Sequence, residues 1–225
     1  HLSLRRQRQM CIRDRVYTST SLLELDLLPE TLVIIGGGYI GLEFASMFAA
    51  FGSKVIVLEK TTEFLSREDS TIAEAVRKVM ENQGIEFHFS IEMQSIQDTD
   101  KETVVTYRDT TDKTEHNLFA NAVLVATGRQ PNTESLDPGM AGIHLNEHGA
   151  IIVNKYLQTT ASDIWALGDV NGGKQFTYIS QDDYRIIRDQ LFGKGSRTIV
   201  DREPVVYTVF ILSLIHISEP TRRVV

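Results

Sequence analysis

The sequence is poor in cysteine: its 225 residues include one, Cys11. A single cysteine cannot form a disulfide within the chain, and it cannot supply a metal site built from several thiolates. Four histidines, His88, His116, His144 and His148, also lack the mutual spacing of metal ligands. The sequence therefore predicts no metal site.

Long apolar runs and a surplus of positive charge are absent as well. No run approaches the roughly 20 apolar residues that a membrane-spanning helix needs. Acidic residues outnumber basic residues by 30 to 23, and such a balance disfavours binding to nucleic acid or to an anionic membrane. We expect neither kind of partner.

The two ends of the chain differ in character from the rest. Codons for residues 212–217 can be chosen so that their reverse complement encodes residues 10–14. One inverted DNA element of the kind used in sequencing-library adapters would explain both segments. We therefore expect residues 1–15 and 212–225 to be adapter-like artefacts and exclude them from the fold. The ends hold 7 of the 23 basic and 2 of the 30 acidic residues, which leaves 16 basic and 28 acidic residues between them.

The hydrophobic pattern between the ends predicts an α/β fold. Residues 16–30 are expected to be a linker. Short apolar runs predict buried strands over residues 31–35, 54–59, 85–89 and 122–126. Helical spacing predicts helices over residues 39–51 and 70–83, and alternating polarity predicts an antiparallel meander over residues 91–118. This order is typical of a Rossmann-type doubly wound domain, here residues 31–128, with an antiparallel β insert.

A domain boundary is expected near Arg129, where breaks in the pattern begin. Short strands are predicted over residues 151–153 and 164–167, and a helix over residues 180–192. Asp182 and Asp183 would lie at the start of this helix, where their charges suit the helix dipole and need no catalytic role.

A glycine motif lies between the first predicted strand and helix. Residues 36–41 (GGGYIG) match the dinucleotide-binding pattern G-x-G-x-x-G. In that pattern Gly36 permits a tight turn, Gly38 lets the backbone approach a pyrophosphate at the helix N-terminus, and Gly41 allows close helix–strand packing. A turn required only by packing is the alternative.

Two further features indicate that this motif binds a nicotinamide dinucleotide. Glu59 ends the next predicted strand, 21 positions after Gly38, where an acidic residue accepts hydrogen bonds from the adenosine ribose. A carboxylate there would repel a 2′-phosphate, which favours NADH over NADPH, although Lys60 could partly compensate. Gly128 follows a buried strand and would let the backbone pass close to a ligand. A solvated carboxylate and a simple strand-to-loop turn are the alternatives.

Three motifs, taken in order, resemble those of the class I pyridine-nucleotide–disulfide oxidoreductases. They are residues 36–43 (GGGYIGLE), 126–132 (ATGRQPN) and 160–170 (TASDIWALGDV). Residues 175–185 are most similar to the reactive-chlorine-resistance and hypothiocyanous-acid-reductase branch. Lipoamide dehydrogenase usually has a different, Ala-His-containing segment there.

The resemblance implies that the chain contains parts of an FAD-binding domain. Residues 16–30 would lead from that domain, residues 129–195 would return to it, and residues 196–211 would begin a dimerisation domain. Gly168 and Asp169 would close the FAD site, with Asp169 bonding the ribityl hydroxyls. The pyrimidine edge of the flavin would be lined by Gln175, Phe176, Thr177 and Tyr178. A turn aspartate and a helix-capping threonine are the alternatives.

The resemblance also implies roles on the nicotinamide side. Tyr39 would shield the flavin until nicotinamide displaces it, and Glu43 would lie near the nicotinamide. Ile40 belongs to the same NAD-binding segment. The alternatives are a core tyrosine and a first-turn carboxylate matched to the helix dipole.

By this resemblance, the parent enzyme passes hydride from NADH to FAD, and on to a redox disulfide and an oxidant substrate of the hypothiocyanous-acid or metal-ion type. Dihydrolipoyl dehydrogenase, mercuric reductase and an NADH-binding sensor module are the alternatives. The redox cysteines and a partner-chain His–Glu pair are expected outside this sequence, so no catalytic residue is predicted within it. The parent is expected to be a cytoplasmic homodimer.

Overall fold

A computed structural model describes residues 15–202 and 207–211 of the chain. These residues form two compact units. The first comprises the described residues up to Gly128 together with residues 209–211, and the second runs from Arg129 to Thr208. The two terminal segments predicted to be adapter-like lie outside the described residues, apart from Arg15.

A five-stranded parallel sheet forms the centre of the first unit, with strand order β1-β8-β2-β3-β4. Its strands are β1 (Val16–Tyr17), β2 (Thr31–Ile35), β3 (Lys54–Leu58), β4 (Glu86–His88) and β8 (Ala122–Val125). In the register of the central strands, Val33 lies beside Ile56 on one side and Val123 on the other. All three side chains are buried, as expected for a parallel sheet that is covered on both faces.

Three helices connect these strands: α1 (Ser19–Leu22), α2 (Tyr39–Phe51) and α3 (Ser70–Asn82). Helix α2 ends at Gly52, whose φ of 102° is a conformation that glycine adopts without strain. Helix α3 begins after Asp69, whose carboxylate accepts hydrogen bonds from the backbone N–H groups of Thr71 and Ile72. Helices α2 and α3 therefore begin where they were expected.

A separate antiparallel sheet covers one face of the parallel sheet. It consists of β5 (Ile91–Asp98), β6 (Thr103–Asp109) and β7 (Glu115–Ala120) in sequence order. Alternate residues of β2 face opposite ways. Val33 and Ile35 pack with Val105 and other residues of the antiparallel sheet, whereas Leu32 and Ile34 pack with the helices. The predicted α/β fold with an antiparallel insert is confirmed, and the first unit has three layers.

The second unit contains one long helix, α4 (Thr177–Phe192). Short 3-10 helices lie at Pro138–Ala141, Gly168–Asn171 and Ile199–Arg202. The latter two pack near α4 through side-chain contacts described below.

Several expectations about element bounds are wrong. Residues 16–30 are more than a linker, because they contain β1 and α1, and Leu22 is 1% exposed in the core. The strands predicted over residues 151–153 and 164–167 are isolated bridges only, Leu145 with Ile151 and Gln158 with Trp165. Helix α4 begins at Thr177, three residues before the predicted start.

Arg15, which was excluded from the fold with the N-terminal segment, contacts the first unit. Its carbonyl accepts a hydrogen bond from the Val123 N–H at 2.8 Å. Its guanidinium lies 2.6 Å from the Asp98 carboxylate. Across residues 15–202 and 207–211, no helix has the length and apolar character to cross a membrane.

Candidate functional site

The glycine loop joins β2 to α2 at the carboxyl edge of the parallel sheet. Gly36 has a φ of +106°, and a Cβ atom there would lie 2.6 Å from the carbonyl oxygen of Ala126. Gly41 lies in the first turn of α2, and a Cβ atom there would lie 2.1 Å from the carbonyl oxygen of Gly36. Both contacts are with backbone atoms that cannot easily move. The fold itself therefore requires glycine at positions 36 and 41.

Gly38 occupies a different environment in the same loop. It is the N-cap of α2, it has no side chain to cap the helix, and its φ is −75°. A Cβ atom at Gly38 would meet no atom within 4 Å. Packing therefore gives no reason for a glycine here, and the space beside the helix N-terminus is open to a ligand. Anions bind well at such a helix end, because the backbone N–H groups and the helix dipole both favour negative charge.

Glu59 lies beside this loop, as the motif predicts. One carboxylate oxygen accepts a hydrogen bond from the Gly37 N–H at 2.6 Å. The other oxygen accepts from the Thr61 N–H at 2.9 Å. The carboxylate is thus held at the tip of β3 while its side chain stays partly exposed, and neighbouring Lys60 is exposed.

The predicted nicotinamide-side residues lie on the first turns of α2. The Tyr39 hydroxyl donates a hydrogen bond to the carboxylate of Glu68. Glu43 accepts a hydrogen bond from the Phe210 N–H at 3.0 Å. Ile40 is partly buried beside them. Neither contact was foreseen, because Glu68 and Phe210 are distant in sequence and carry no motif.

Gly128 ends the first unit after β8. Its φ is +120°, and no atom lies within 4 Å of where its Cβ would be. This conformation strains any residue with a side chain, and the surrounding space is free. The predicted close approach of a ligand to this backbone stays a prediction.

The second unit contains a cleft of about 440 Å³, within the range of about 300–1,000 Å³ that is usual for small-molecule sites. The cleft is lined by Arg129, Asp169, Gln175, Phe176, Thr177 and Ser180. Four of these residues were predicted to contact FAD. Arg129 and Ser180 were not, because no sequence motif gave either residue a role in cofactor binding.

Asp169 is the acidic group of this cleft. One of its carboxylate oxygens accepts a hydrogen bond from Arg129 Nη1 at 2.9 Å. Both side chains are about half exposed, so the pair can exchange partners with a ligand at little cost. The cleft thus offers a hydrogen-bond acceptor and a cation next to each other.

Phe176 lines the cleft at the start of α4, whereas Tyr178, which was also expected to contact FAD, is not among its lining residues. The Phe176 ring stacks on Tyr178 at 5.5 Å and on Tyr207 at 5.4 Å between centroids. Phe176 is the N-cap of α4 and makes no side-chain cap hydrogen bond. Thr177 is the first helical residue, so the alternative that Thr177 serves only as the helix cap is wrong, while its predicted contact with FAD stays a prediction.

Asp182 and Asp183 were expected at the start of the helix, but the structure places them elsewhere. They lie beyond the first turn of α4 and are 9% and 1% exposed. The prediction that they lie at the start of the helix is therefore wrong, because the helix begins at Thr177. Asp182 pairs with Arg197 at 2.5 Å, and Asp183 pairs with Arg202 at 2.6 Å. No sequence signal linked them to arginines 15 and 19 residues later.

His88, one of the four histidines without metal-ligand spacing, has ordinary hydrogen-bond partners. His88 contacts Glu86 at 2.6 Å and the Tyr107 hydroxyl at 2.8 Å. Burial raises the pKa of Tyr107, and the nearby charges of Glu86 and Asp109 raise it further. Within the part of the chain that the structure describes, no group of three or more His, Cys, Asp or Glu side chains could hold a metal ion.

Comparison with known proteins identifies the family. The profile described as pyridine nucleotide-disulphide oxidoreductase matches residues 5–184. The chain belongs to this family. The probable pyridine nucleotide-disulfide oxidoreductase RclA of Escherichia coli strain K12 is 50% identical over 212 residues, which cover 92% of this chain and 46% of RclA. A mercuric reductase of Staphylococcus aureus is 35% identical over 182 residues, 81% of this chain and 33% of that protein.

Solved structures of the oxidoreductase family match the fold. The Cu(II) complex of HOCl-induced flavoprotein disulfide reductase RclA from Escherichia coli matches with a TM-score of 0.82 and 49% identity, over 88% of this chain and 44% of that one. LpdA from Mycobacterium tuberculosis matches with a TM-score of 0.79 and 27% identity, over 89% and 42%. The resemblance to the reactive-chlorine-resistance branch is confirmed. The chain spans less than half the length of these relatives.

Proposed function

We propose that this chain provides the NADH-binding domain and part of the FAD-binding domain of a flavoprotein disulfide reductase. When bound, the two cofactors supply the hydride and the electron relay by which a redox disulfide and then an oxidant substrate are reduced. The residues of this chain bind and orient the cofactors. Because the sequence contains one cysteine, no cysteine pair can form within a single copy of the chain.

The observation that carries the NADH assignment is the open space beside Gly38. Gly36 and Gly41 are required by backbone contacts, but among residues 15–202 and 207–211 no atom beyond its chain neighbours lies within 4 Å of a Cβ at Gly38. A pyrophosphate seated on the N-terminus of α2 would fill this space and explain why a glycine stands there. The backbone at Gly128, which also has open space beside it, would be a second contact for the same ligand.

Glu59 supports NADH as the preferred nicotinamide cofactor. Its carboxylate is fixed by the Gly37 and Thr61 N–H groups, so it faces a ribose on that loop as a positioned acceptor. A 2′-phosphate would meet this negative charge at close range. Lys60 is exposed and gives only partial compensation.

The cleft of the second unit supports an FAD site. Asp169 offers an acceptor for the ribityl hydroxyls, and Gln175 offers both a donor and an acceptor for the pyrimidine edge. The N-terminus of α4 opens into this cleft through Thr177, so its partial positive charge favours a negatively charged flavin edge.

An oxidant is the substrate class that we favour. RclA from Escherichia coli is described as an HOCl-induced flavoprotein disulfide reductase, and it shares half of its aligned residues with this chain. A hypothiocyanous-acid-type oxidant or a metal ion, as for mercuric reductase, fits this class. We further propose a cytoplasmic homodimer, since nicotinamide cofactors are intracellular and the family is usually dimeric.

The test compares two glycine-to-alanine variants of the complete reading frame that encodes this chain. Gly38→Ala should lower NADH affinity by about tenfold or more, because the added methyl group occupies the pyrophosphate position. It should change the free energy of unfolding by less than about 1 kcal/mol, the usual range for an N-cap change from glycine. Isothermal titration calorimetry and urea unfolding measure the two quantities.

Gly139→Ala is the matched control, since its Cβ would also meet no atom within 4 Å. It should leave NADH affinity unchanged. Equal NADH affinity in Gly38→Ala and the unaltered protein would contradict the proposed site. A protein purified without bound flavin, and unable to take up added FAD, would contradict the flavoprotein assignment.

A further inference from the structure

The 3-10 turn Gly168–Asn171 carries Asp169 into the cleft of the second unit. Gly168 has a φ of +74°, and Gly172, which follows the turn, has a φ of 73°. A Cβ atom at Gly168 would lie 3.0 Å from the Ser180 hydroxyl. Both ends of the turn therefore have positive φ values, and its first residue packs closely against α4. Because Asp169 belongs to this turn, a shift of the turn's backbone would move the Asp169 carboxylate.

One buried carboxylate on α4 holds this turn. Oδ2 of Asp183 accepts hydrogen bonds from the Gly168 N–H at 2.8 Å and from Asn171 Nδ2 at 3.2 Å. These contacts reach the first and last residues of the turn. The Asn171 side chain also donates to the Ala166 carbonyl at 3.3 Å and accepts from the Gly173 N–H at 2.9 Å.

A carboxylate that is 1% exposed needs compensation for its lost hydration. Arg202 supplies it, because its Nη2 donates to Oδ1 of Asp183 at 2.6 Å. Asp183 therefore has one oxygen for the arginine and the other for the turn. A neutral side chain could not accept from all three donors with comparable strength.

Asp182, the preceding residue, is a built-in contrast. It is also buried, and it pairs with Arg197 at 2.5 Å and with Arg202 at 3.2 Å. Both of these arginines follow α4 in the sequence, and the described contacts of Asp182 do not include the Gly168–Asn171 turn. The two neighbouring carboxylates are thus both buried and both paired with arginine, but only Asp183 also accepts hydrogen bonds from the Gly168–Asn171 turn.

We infer that Asp183 is a positioning residue for the flavin site: through Gly168 and Asn171 it fixes the turn that presents Asp169 to the cofactor. This inference rests on the proposed function, because it assigns a purpose to the turn that the FAD site uses. Asp183 does not itself line the cleft, and it acts through Asp169.

The experiment measures FAD affinity in the apoprotein of the complete reading frame, at a temperature well below the unfolding midpoint of every variant. Asp183→Ala should weaken FAD binding by about tenfold or more, the range expected when hydrogen bonds to a charged group are lost. Asp182→Ala should lower thermal stability comparably but weaken FAD binding by less than about threefold. Asp183→Asn keeps one acceptor oxygen and should give an intermediate loss, which preserves the test if Asp183→Ala does not fold.

A double-mutant cycle shows whether Asp183 acts through Asp169. In the Asp169→Ala background, Asp183→Ala or Asp183→Asn should have less than about a third of its original effect on FAD affinity, because the group being positioned is gone. FAD affinity within twofold of the unaltered protein in both Asp183 variants overturns the inference, as does an undiminished effect in the Asp169→Ala background. Failure of the unaltered apoprotein to bind FAD overturns the proposed function instead.

Discussion

The glycine loop of the first unit and the Gly168–Asn171 turn of the second unit hold their shapes by different means. In the loop, backbone atoms contact one another so closely that Gly36 and Gly41 cannot carry side chains. In the turn, a buried side chain, Asp183, reaches out to hold the backbone from another helix. We therefore expect the loop to be disrupted by a side chain at Gly36 or Gly41, and the turn to be disrupted by loss of the charged groups that hold it.

The largest effect is expected from adding a methyl group to the loop. Gly41→Ala should lower the free energy of unfolding by about 3 kcal/mol or more, because its Cβ would lie 2.1 Å from the Gly36 carbonyl oxygen and α2 must move. Urea unfolding of the chain measures this loss. Gly52→Ala is the control, since Gly52 has a φ of +102° but open space around it, and backbone strain alone should cost about 1–2 kcal/mol. A smaller loss in Gly41→Ala than in Gly52→Ala would refute the account.

The next effect is expected from removing the charge that supports the turn. Arg202→Gln leaves two buried carboxylates without their shared cation and should destabilise the second unit by about 2–4 kcal/mol. Hydrogen exchange of the α4 amides measures this unit by itself. Arg197→Gln is the control, because the Arg197 side chain is 43% exposed whereas that of Arg202 is 13% exposed. Buried Asp182 also keeps its pair with Arg202 in this variant, so its loss of stability should be clearly smaller. Equal losses in the two variants would mean that burial of the arginine is unimportant.

The smallest effect concerns pH and the end of α4. The Arg197 N–H, followed by that of Lys194, holds the pKa of Asp189 below its ordinary value of 3.8. A lowered pKa stabilises the folded chain above the ordinary value, and this contribution is lost as the pH falls through the lowered pKa. Protection of the Lys194 and Arg197 amides, relative to their intrinsic exchange rates at each pH, should therefore fall below pH 3.8. The same fall in protection in Asp189→Asn would show that another group is responsible.

The first unit was the more predictable of the two from its sequence. Helix α2 was expected over the residues where it occurs, because apolar spacing and Gly52 mark its length and its end. Strand β1 was missed because two residues are too few to show alternating polarity. Val16 is part of a strand only because it pairs with Val123 of β8. Non-local pairing of this kind leaves no trace in a short window.

The second unit was less predictable because its structure depends on contacts between distant residues. The expected strands over residues 151–153 and 164–167 have the right composition but find only single bridging partners. The cleft residues Asp169, Gln175, Phe176 and Thr177 were named from family motifs. Arg129 and Asp183 were not given roles, because an ion pair or a buried hydrogen bond becomes visible only when the chain has folded.

The glycines of this short motif are expected to be under two different kinds of evolutionary selection, because only Gly38 has open space around it. Substitutions at positions 36 and 41 would be removed by misfolding whether or not the protein still used a nucleotide. Because we propose that a nucleotide occupies the space beside Gly38, a substitution there should be removed only in proteins that use this nucleotide. In descendants of this chain that no longer bind it, position 38 should vary first, whereas Gly36 and Gly41 should persist because the fold requires them.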